Sequence, residues 1–355
     1  MITHPRFVRG LRRLPVVARA AAAGGGARDS RAAVRDDPRP NGIPERKLVF
    51  VDWTTTFKVG GTAEDTVLQS ALQPAAGPDG VSVIDHFARR VEHFDAAGRL
   101  AWTYGREGQG PDEFTNPRDL KVDADGRAWV MDPGNARLTV LGRDGKAVLR
   151  VPLNQVGKTP LGIIPLPGNE AYVLVPDPKE PLVRIAADGR VLERRSFPWK
   201  RYGEFDFLAT QSITAAEPRS GRWAAAFQVG DGFFTFNGRE PSGGRHRFVE
   251  AVTFPQVVQQ HANGHTITRT AHRPTFAAMS VTTSPERLYV LFAGASGNAN
   301  RIVDSYSLAD GRYLESYLLA SEVKSIAWSN GGLYVVQNLP FPALLALRPQ
   351  GRALP

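Results

Sequence analysis

The stretches "GVSVIDHFARRVEHFDAAGRL" (80–100) and "GRAWVMDPGNARLTVLGRDGKA" (126–147) repeat one pattern. Each runs from a glycine through alternating apolar residues to an aspartate, then through a short turn to an arginine, a second alternating run and a Gly turn. Asp85 lies five residues before Arg90, as Asp132 lies five residues before Arg137. Alternation at period two, bounded by turns of this kind, predicts antiparallel hairpins.

The pattern recurs along the chain at a period of about 45 residues. Weaker copies occupy residues 169–192, 222–240, 286–314 and 331–352, and a short apolar strand precedes each copy. Four strands at this period are typical of one blade of a β-propeller. The sequence therefore predicts an all-β fold over residues 47–355, a six-bladed β-propeller of four-stranded antiparallel blades.

The ends of the repeat region predict how the ring closes. The last copy ends too near Pro355 to hold a fourth strand after "ALLALRP" (343–349). The segment "KLVFVDWTTTFKV" (47–59) is a spare strand, rich in β-branched and aromatic residues. An open ring would expose unpaired strand edges. We therefore expect this N-terminal strand to complete the sixth blade.

The stretch "GREGQGPDEF" (105–114) lies between the last strand of one blade and the first strand of the next. We interpret it as a crossover in which glycines permit positive φ, a proline stiffens the turn and a phenylalanine packs between the sheets. Its spacing, G-x-x-G-x-G, is not the dinucleotide pattern G-x-G-x-x-G, and no helix pattern follows, so phosphate binding is not predicted. The residues expected to shape this crossover are Gly105, Gly108, Gly110, Pro111 and Phe114.

This crossover, followed by the strand pair around "DADGRAWVMD" (123–132), resembles bacterial six-bladed β-propeller proteins related to NHL repeats. The resemblance is strong over residues 104–150 and weaker over about 70–350. Asp112 stands where that family usually has glycine. The resemblance implies a propeller fold and an extracytoplasmic, often lipoprotein, setting. It implies no particular reaction, because one fold serves many functions.

Composition narrows the classes of function. The chain has no cysteine, which excludes disulfides, thiolate zinc sites and thiol catalysis. Residues 1–46 hold ten arginines against four acidic residues, which leaves only +3 of the net charge of +9 for residues 47–355. No clustered basic face is visible there, so a nucleic-acid partner is not expected.

Residues 1–46 are expected to be a disordered basic tail or a degenerate export signal. Arginines precede "LPVVARAAAAGGGARDS" (14–30) in the order basic, apolar, small, but Arg19 interrupts the apolar part. A periplasmic or extracytoplasmic location follows if the signal acts, and a cytoplasmic location if it does not. No stretch approaches the roughly 20 apolar residues of a membrane helix. We expect a monomer.

The repeated Asp–Arg pairs could line one mouth of a central channel, or they could hold the blades together. In the second case the aspartate caps the turn between the second and third strands, and the arginine ties neighbouring blades. Repetition at one blade position favours this structural role, because a site needs different residues from different blades.

Three of the histidines, His261, His265 and His272, are the best candidates for metal binding. The i, i+4 spacing of the first two would suit zinc on one helix face. Asn263-Gly264 between them argues against a helix and favours a polar loop.

No catalytic or cofactor-binding residue is predicted, because neither a G-x-S-x-G nucleophile pattern nor a calcium loop is present. We predict a non-catalytic binding or scaffold protein for an unknown protein or small-molecule ligand, without a cofactor. The alternative is a metal-dependent hydrolase of the lactonase type, or a lyase, with calcium or zinc in the channel. Carboxylates and histidines clustered at a channel mouth would favour the enzyme, and small apolar side chains there would favour binding.

Overall fold

The computed structural model describes residues 45–355 apart from 66, 178, 198–210, 263–264, 271, 295–296 and 352, and only the backbone of residues 257, 259–262 and 265–269. These residues form 27 β-strands. Helical structure within them is limited to three 3-10 turns: Pro133–Asn135, Asn154–Val156 and Pro167–Asn169. In this part of the chain, no helix is long and apolar enough to cross a membrane.

The strands form six blades, which confirms the predicted six-bladed propeller. Two strands, β1 (Leu48–Val49) and β2 (Trp53–Gly60), precede the first blade along the chain. Blade 1 consists of β3 (Ala71–Gly77), β4 (Gly80–Asp85), β5 (Arg90–Asp95) and β6 (Leu100–Tyr104). Blade 2 consists of β7 (Asp119–Val122), β8 (Ala128–Asp132), β9 (Arg137–Leu141) and β10 (Ala147–Pro152). Blade 3 consists of β11 (Gly162–Leu166), β12 (Glu170–Leu174), β13 (Leu182–Ile185) and β14 (Val191–Arg195).

Blade 4 consists of β15 (Ser212–Glu217), β16 (Arg222–Phe227), β17 (Phe233–Asn237) and β18 (Glu240–Pro241). A separate hairpin of β19 (Val257–Ala262) and β20 (His265–Thr270) follows it. Blade 5 consists of β21 (Ala278–Thr283), β22 (Arg287–Phe292), β23 (Ile302–Ser307) and β24 (Tyr313–Leu318). Blade 6 consists of β25 (Ser325–Ser329), β26 (Gly332–Gln337), β27 (Ala343–Pro349) and β2.

Local sequence explains the hairpins. In the turn after β5, Gly98 N donates to Asp95 O at 2.9 Å, and the Asp95 carboxylate accepts from Ala97 N at 2.9 Å. Gly98 has φ of 80°, a conformation that favours glycine. The turn at residues 123–126 repeats this arrangement. Asp and Gly three residues apart therefore reverse the chain, as the sequence predicted.

The hydrophobic core is divided among the contacts between neighbouring blades. Every residue of β4 and β8 is buried, because each middle strand has another blade on both sides. Six buried clusters fill the six seams of the ring; Trp129 packs between blades 2 and 3, for example, and Phe233 between blades 4 and 5. A blade has two apolar faces, so it is stable only with neighbours on both sides.

The crossover between blades 1 and 2 folds around Phe114. This side chain is fully buried and meets Tyr104 edge-on, with ring centroids 5.8 Å apart. Gly105 has φ of 97°, and a Cβ there would lie 2.5 Å from the Phe114 ring. Glu113 holds the turn by accepting from Gly110 N at 2.8 Å, and Pro111 O accepts from a side chain of blade 2.

The N-terminal strand closes the ring, as predicted. β2 pairs antiparallel with β27, from Trp53 opposite Pro349 to Gly60 opposite Ala343. Phe57, in the same strand, packs into the seam between blades 6 and 1. The last blade is therefore built from both ends of the repeat region.

The prediction of one continuous strand over residues 47–59 is wrong in its first part. Leu48 and Val49 form β1, which pairs in parallel with β24 on the outer edge of blade 5. The chain then passes to blade 6, where Trp53 Nε1 donates to Leu318 O at 3.1 Å. The N-terminal segment is therefore bound to both blade 5 and blade 6. An ion pair at its start fixes it to blade 5.

That ion pair joins Arg46 to a buried carboxylate. Asp304, in β23, is fully buried, and Arg46 Nε and Nη2 donate to its two oxygens at 3.0 Å each. Arg46 Nη1 donates to Glu250 Oε2 at 2.8 Å, and Ser316 Oγ donates to Asp304. Burial raises the pKa of Asp304, and the hydrogen bonds from Arg46 and Ser316 oppose that rise.

Truncation tests the closure. Removing residues 1–42 should leave the melting temperature unchanged, because the N-terminal contacts described above begin at Arg46. Removing residues 1–60 should cause aggregation or a large loss of stability, because β27 would lose its outer partner. Thermal melts of the two truncated proteins provide the comparison, and identical melts would contradict closure by β2.

Replacing Arg46 with methionine should destabilise the protein by about 3 kcal/mol at pH 7, because it leaves a buried carboxylate unpaired. The loss should be smaller at pH 5, where Asp304 can take up a proton more readily. Urea denaturation measures both values. The double variant R46M/D304N should recover part of the loss, and wild-type stability for R46M alone would show that the pair does not hold the segment.

Candidate functional site

The inner strands of the six blades, β3, β7, β11, β15, β21 and β25, surround the propeller axis. Side chains on these strands bond to the backbone of the neighbouring strand. Asp119 Oδ2 accepts from Ile163 N at 2.7 Å, and Thr214 Oγ1 donates to Ile163 O at 3.2 Å. Between blades 5 and 6, Ile326 N donates to Ser280 Oγ at 3.1 Å. The channel wall is therefore tied together from blade to blade.

A cavity of about 230 Å³ opens where the inner strands end. We call this cavity the channel mouth. Its wall is formed by the ends of β3, β7, β15, β21 and β25 and by the turns that follow them. Much of this wall is small or apolar, including Ala76, Val122, Ile213, Ala216, Val281 and Ala327.

Hydrogen bonds already engage the carboxylates of the channel mouth. Asp123 accepts from Arg127 Nε at 2.8 Å and from Trp129 Nε1 at 2.7 Å. Glu217 is buried and accepts from Ser220 N. Neither carboxylate faces the cavity as an unengaged acid or base.

Two cations also line the channel mouth. Lys121 Nζ lies 2.5 Å from Asp119 Oδ1, and its side chain is 15% exposed. Arg219 is exposed at the rim and has no ion-pair partner among the residues that the structure describes. The ammonium group of Lys121 is therefore paired with a carboxylate, and the guanidinium of Arg219 has no ion-pair partner among the described residues.

Two other wall residues carry buried polar atoms that lack a partner within the described part of the chain. These atoms are Gln73 Oε1 and Trp328 Nε1. Gln73 also has φ of 24°, at a bulge in β3 between Leu72 and Ala75. Unpaired polar atoms and left-handed non-glycine backbone are costly and concentrate at functional sites. The channel mouth is therefore the strongest candidate site.

Sequence reasoning did not select Gln73, Lys121 or Trp328. Each interrupts a small or apolar first strand of its repeat, in "LQPAAG", "LKVDADG" and "IAWSNGG". Their shared position was the signal that could have identified them, because the first strand of every blade lies nearest the axis.

The aspartates of the repeated pairs lie away from the channel mouth. Asp85 and Asp132 are fully buried at the ends of β4 and β8. Asp132 accepts from Gly134 N at 3.1 Å within its turn and from Asn116 N at 2.8 Å in the incoming crossover. Asp85 makes the same two kinds of bond in blade 1. Each aspartate thus caps a turn and fastens a crossover to it.

The paired arginines bind carbonyl groups of the same crossovers. Arg137 Nη2 donates to Gly110 O at 2.6 Å and also to Glu113 O. Arg90 Nη2 donates to Val67 O at 3.0 Å, where the chain enters blade 1 from blade 6. These contacts link successive blades.

The three candidate histidines lie in or next to the extra hairpin. The structure has β19 and β20 where the sequence predicted a polar loop, because the strands flanking residues 263–264 pair along their length. His261 lies opposite Thr266 and His265 opposite Ala262. The side chains of both histidines and the turn itself are outside the described residues, and His272 is exposed. Among described side chains, no three His, Asp or Glu residues are grouped to hold a metal.

Comparisons with known proteins support the propeller fold and do not identify a function. No protein-family model matches the chain. A segment of 45 residues is 40% identical to human NHL repeat-containing protein 3, covering 13% of this chain and 13% of that protein. A putative exported protein of Bacteroides fragilis superposes with a TM-score of 0.53 at 8% identity, over 84% of this chain and 95% of that one. Virginiamycin B lyase of Staphylococcus aureus gives a TM-score of 0.49 at 11% identity, over 84% and 99%.

The local match agrees with the resemblance to NHL repeats, and the Bacteroides structure supports the propeller fold alone. The lyase superposition adds nothing to that conclusion. The aligned segment covers 13% of the curated relative's length, so that protein's properties do not transfer to this chain.

A buried glutamate beside the Asp85–Arg90 pair makes stability depend on pH. Glu92 is 1% exposed, with Oε1 at 2.6 Å from Arg90 Nη2 and Oε2 without a partner among the described residues. Burial raises the pKa of Glu92 from 4.5 to about 7, Asp85 adds to the rise, and Arg90 opposes it. The folded protein therefore holds this proton more tightly than the unfolded chain does.

Because the pKa of Glu92 is raised in the folded state, the contribution of Glu92 to stability is greatest below pH 4.5 and is lost as the pH rises through about 7. Replacing Glu92 with glutamine should remove the pH dependence that this carboxyl causes. The free energy of unfolding of the variant should therefore exceed that of wild type by roughly 2–3 kcal/mol above pH 7 and by much less near pH 4. Urea denaturation across this range measures the difference. The matched control is E64Q, at an exposed position, and an E92Q difference that did not change with pH would contradict the assignment.

Proposed function

We propose that the protein is a non-catalytic binding propeller whose ligand occupies the channel mouth. The observation that supports this role is the character of the wall, in which small and apolar side chains surround a few polar groups. Such walls are typical of sites that hold a small molecule by shape and orient it by a small number of hydrogen bonds. A scaffold role for a protein partner belongs to the same class.

Two features of the wall favour binding over acid–base chemistry. The carboxylates Asp123 and Glu217 accept hydrogen bonds from neighbouring protein groups. Gln73 Oε1 and Trp328 Nε1, which are buried and lack partners among the described residues, belong to an amide and an indole, and neither group exchanges protons near neutral pH.

The alternative function is a metal-dependent hydrolase of the lactonase type, or a lyase, using calcium or zinc. His261, His265 and His272 remain its candidate ligands, together with carboxylates of the channel. Metal analysis of the purified protein, followed by thermal melts with added calcium and zinc, separates the two functions. Stoichiometric metal that raises the melting temperature would overturn the non-catalytic proposal.

The proposed setting follows from the sequence of the N-terminal region. A protein exported by residues 1–46 would act in the periplasm or outside the cell, as a monomer. Fractionation of cells expressing the full chain, with N-terminal sequencing of the mature protein, tests this location, and an uncleaved protein in the cytosol would contradict it.

A bulky residue at the rim tests the site itself. Ala124 lines the channel mouth in the turn at residues 123–126, and Ala96 holds the same place in the matching turn at residues 95–98. Both alanines are exposed, so tryptophan at either position should be tolerated. A124W should abolish binding of small compounds found by ligand-observed NMR in a set of acids, amides, amines and sugars. A96W should retain it.

Two results would reject the channel mouth as the binding site. One is that compounds bind A124W as well as they bind wild type, which would place their site elsewhere on the protein. The other is that no compound in the set binds wild type.

A further inference from the structure

One arginine side chain occupies a pocket on blade 5. Arg46 Nε and Nη2 donate to the two oxygens of Asp304 at 3.0 Å each, and Nη1 donates to Glu250 Oε2 at 2.8 Å. The guanidinium carbon lies 5.2 Å from the centroid of the Phe292 ring. We call the pocket formed by Glu250, Phe292, Asp304 and Ser316 the arginine pocket. These four residues are not part of the wall of the channel mouth, so the arginine pocket is a separate site.

The walls of the arginine pocket are held by contacts that do not involve the N-terminal segment. Asp304 lies within β23, opposite Ser316 of β24, and Ser316 Oγ donates to Asp304 Oδ1 at 2.5 Å. Glu250 belongs to the crossover before blade 5. Val249 N fixes this crossover to the blade by donating to Tyr306 OH at 3.1 Å. The pocket is therefore built by blade 5 and its crossover, whether or not Arg46 fills it.

The shape of the arginine pocket suits a guanidinium group better than an ammonium group. The two oxygens of a carboxylate match the parallel N–H groups of a guanidinium, and the planar cation also packs against an aromatic ring. An ammonium group is a compact charge without this planar fork. Gly294, with φ of 61°, makes room for the arrangement, because a Cβ there would collide with Glu250 Oε1 and with the Phe292 ring. The pocket therefore has the geometry of guanidinium recognition.

The arginine pocket also requires a cation and is open to one from solution. The side chain of Asp304 is fully buried and that of Glu250 is 27% exposed, so an empty pocket would hold two carboxylates without a cation between them. Leaving a buried charge unpaired is costly. The Arg46 side chain is 16% exposed, so the pocket reaches solvent where this side chain enters. A small cation can therefore take its place once the side chain is removed.

The neighbours of Arg46 show what a guanidinium-specific pocket achieves. Ser316 N donates to Lys47 O at 2.9 Å, which aligns the N-terminal segment with β24. A shift of one residue along this edge would bring Glu45 or Lys47 to the pocket. Asp304 would repel the carboxylate of Glu45, and Lys47 would offer an ammonium group. Selection of Arg46 thus fixes the register in which the segment passes to blade 6.

On these grounds we infer that the arginine pocket is a preformed guanidinium-binding site. It holds Arg46 in the intact chain, and it binds a free guanidinium compound when residue 46 supplies no guanidinium. The site is independent of the binding function proposed for the channel mouth.

Chemical rescue of the full chain tests the inference. R46A removes the atoms beyond Cβ, which are those of an N-ethylguanidinium ion, so this ion is the probe. At ten times its dissociation constant it should raise the melting temperature of R46A by about 2 °C, and it should leave wild type unchanged. The n-propylammonium ion, of the same length but without the planar fork, should bind about tenfold more weakly. Melts followed by circular dichroism, with each ion titrated in the millimolar range, give the two dissociation constants.

Further variants assign the rescue to the arginine pocket. R46A/D304N removes the carboxylate that accepts two of the three bonds, so it should not respond to ethylguanidinium. R143A is the matched control, because Arg143 also binds a carboxylate, that of Asp79, through Nε and Nη2, but this pair is exposed. Ethylguanidinium should not raise the melting temperature of R143A, since exposed ion pairs contribute little. R46K keeps the positive charge and should restore only part of the melting temperature that R46A loses.

Rescue of R46A by ethylguanidinium and not by propylammonium would support the inference. It would be overturned by no rescue, by equal rescue with both ions, by equal rescue of R46A/D304N, or by full recovery in R46K. If R46A does not fold in buffer, the ions are added during refolding from urea. Recovery of the circular dichroism signal with ethylguanidinium alone would then support the site, and recovery with both ions or with neither would overturn it. The channel mouth is tested separately by A124W.

Discussion

Pairing between β2 and β27 is the constraint on which the rest of the structure depends. Each blade buries apolar side chains on both faces, so a ring with one seam open would expose two faces and two strand edges at once. The closing strand comes from before the first blade, which makes the sixth blade a composite of both ends of the repeat region. Arg46 and β1 extend this closure to blade 5, where the buried Asp304 requires a cation.

A second constraint, inside the ring, recurs in blades 1 and 2. A buried aspartate at the end of the second strand caps its own turn and also binds the crossover that enters the blade. An arginine at the start of the third strand binds carbonyl groups of that crossover. These contacts engage the carboxylate of each aspartate and an Nη2 donor of each arginine. The most regular motif of the sequence is therefore structural, and the candidate site lies where the repeats differ.

The channel mouth follows from these differences. Inner strands must be narrow where they converge on the axis, which accounts for the alanines and for backbone bonds from Asp119, Thr214 and Ser280. Within such a wall, Gln73, Lys121 and Trp328 stand out because they are larger and more polar than the residues around them. Two of them, Gln73 and Trp328, carry buried polar atoms that lack a hydrogen-bond partner within the described part of the chain.

The sequence by itself determined the blade number, the order of strands, the Asp-Gly turns and the closing strand, because alternation and turn chemistry act over a few residues. The wrong boundary at residues 47–59 and the unforeseen hairpin at residues 257–270 have another origin. Only the tertiary structure decided the partner of Arg46, which lies 258 positions away along the chain. The same is true of the raised pKa of Glu92 and of the residues that meet at the channel mouth. Those depend on burial and on convergence of distant blades, which local pattern does not record.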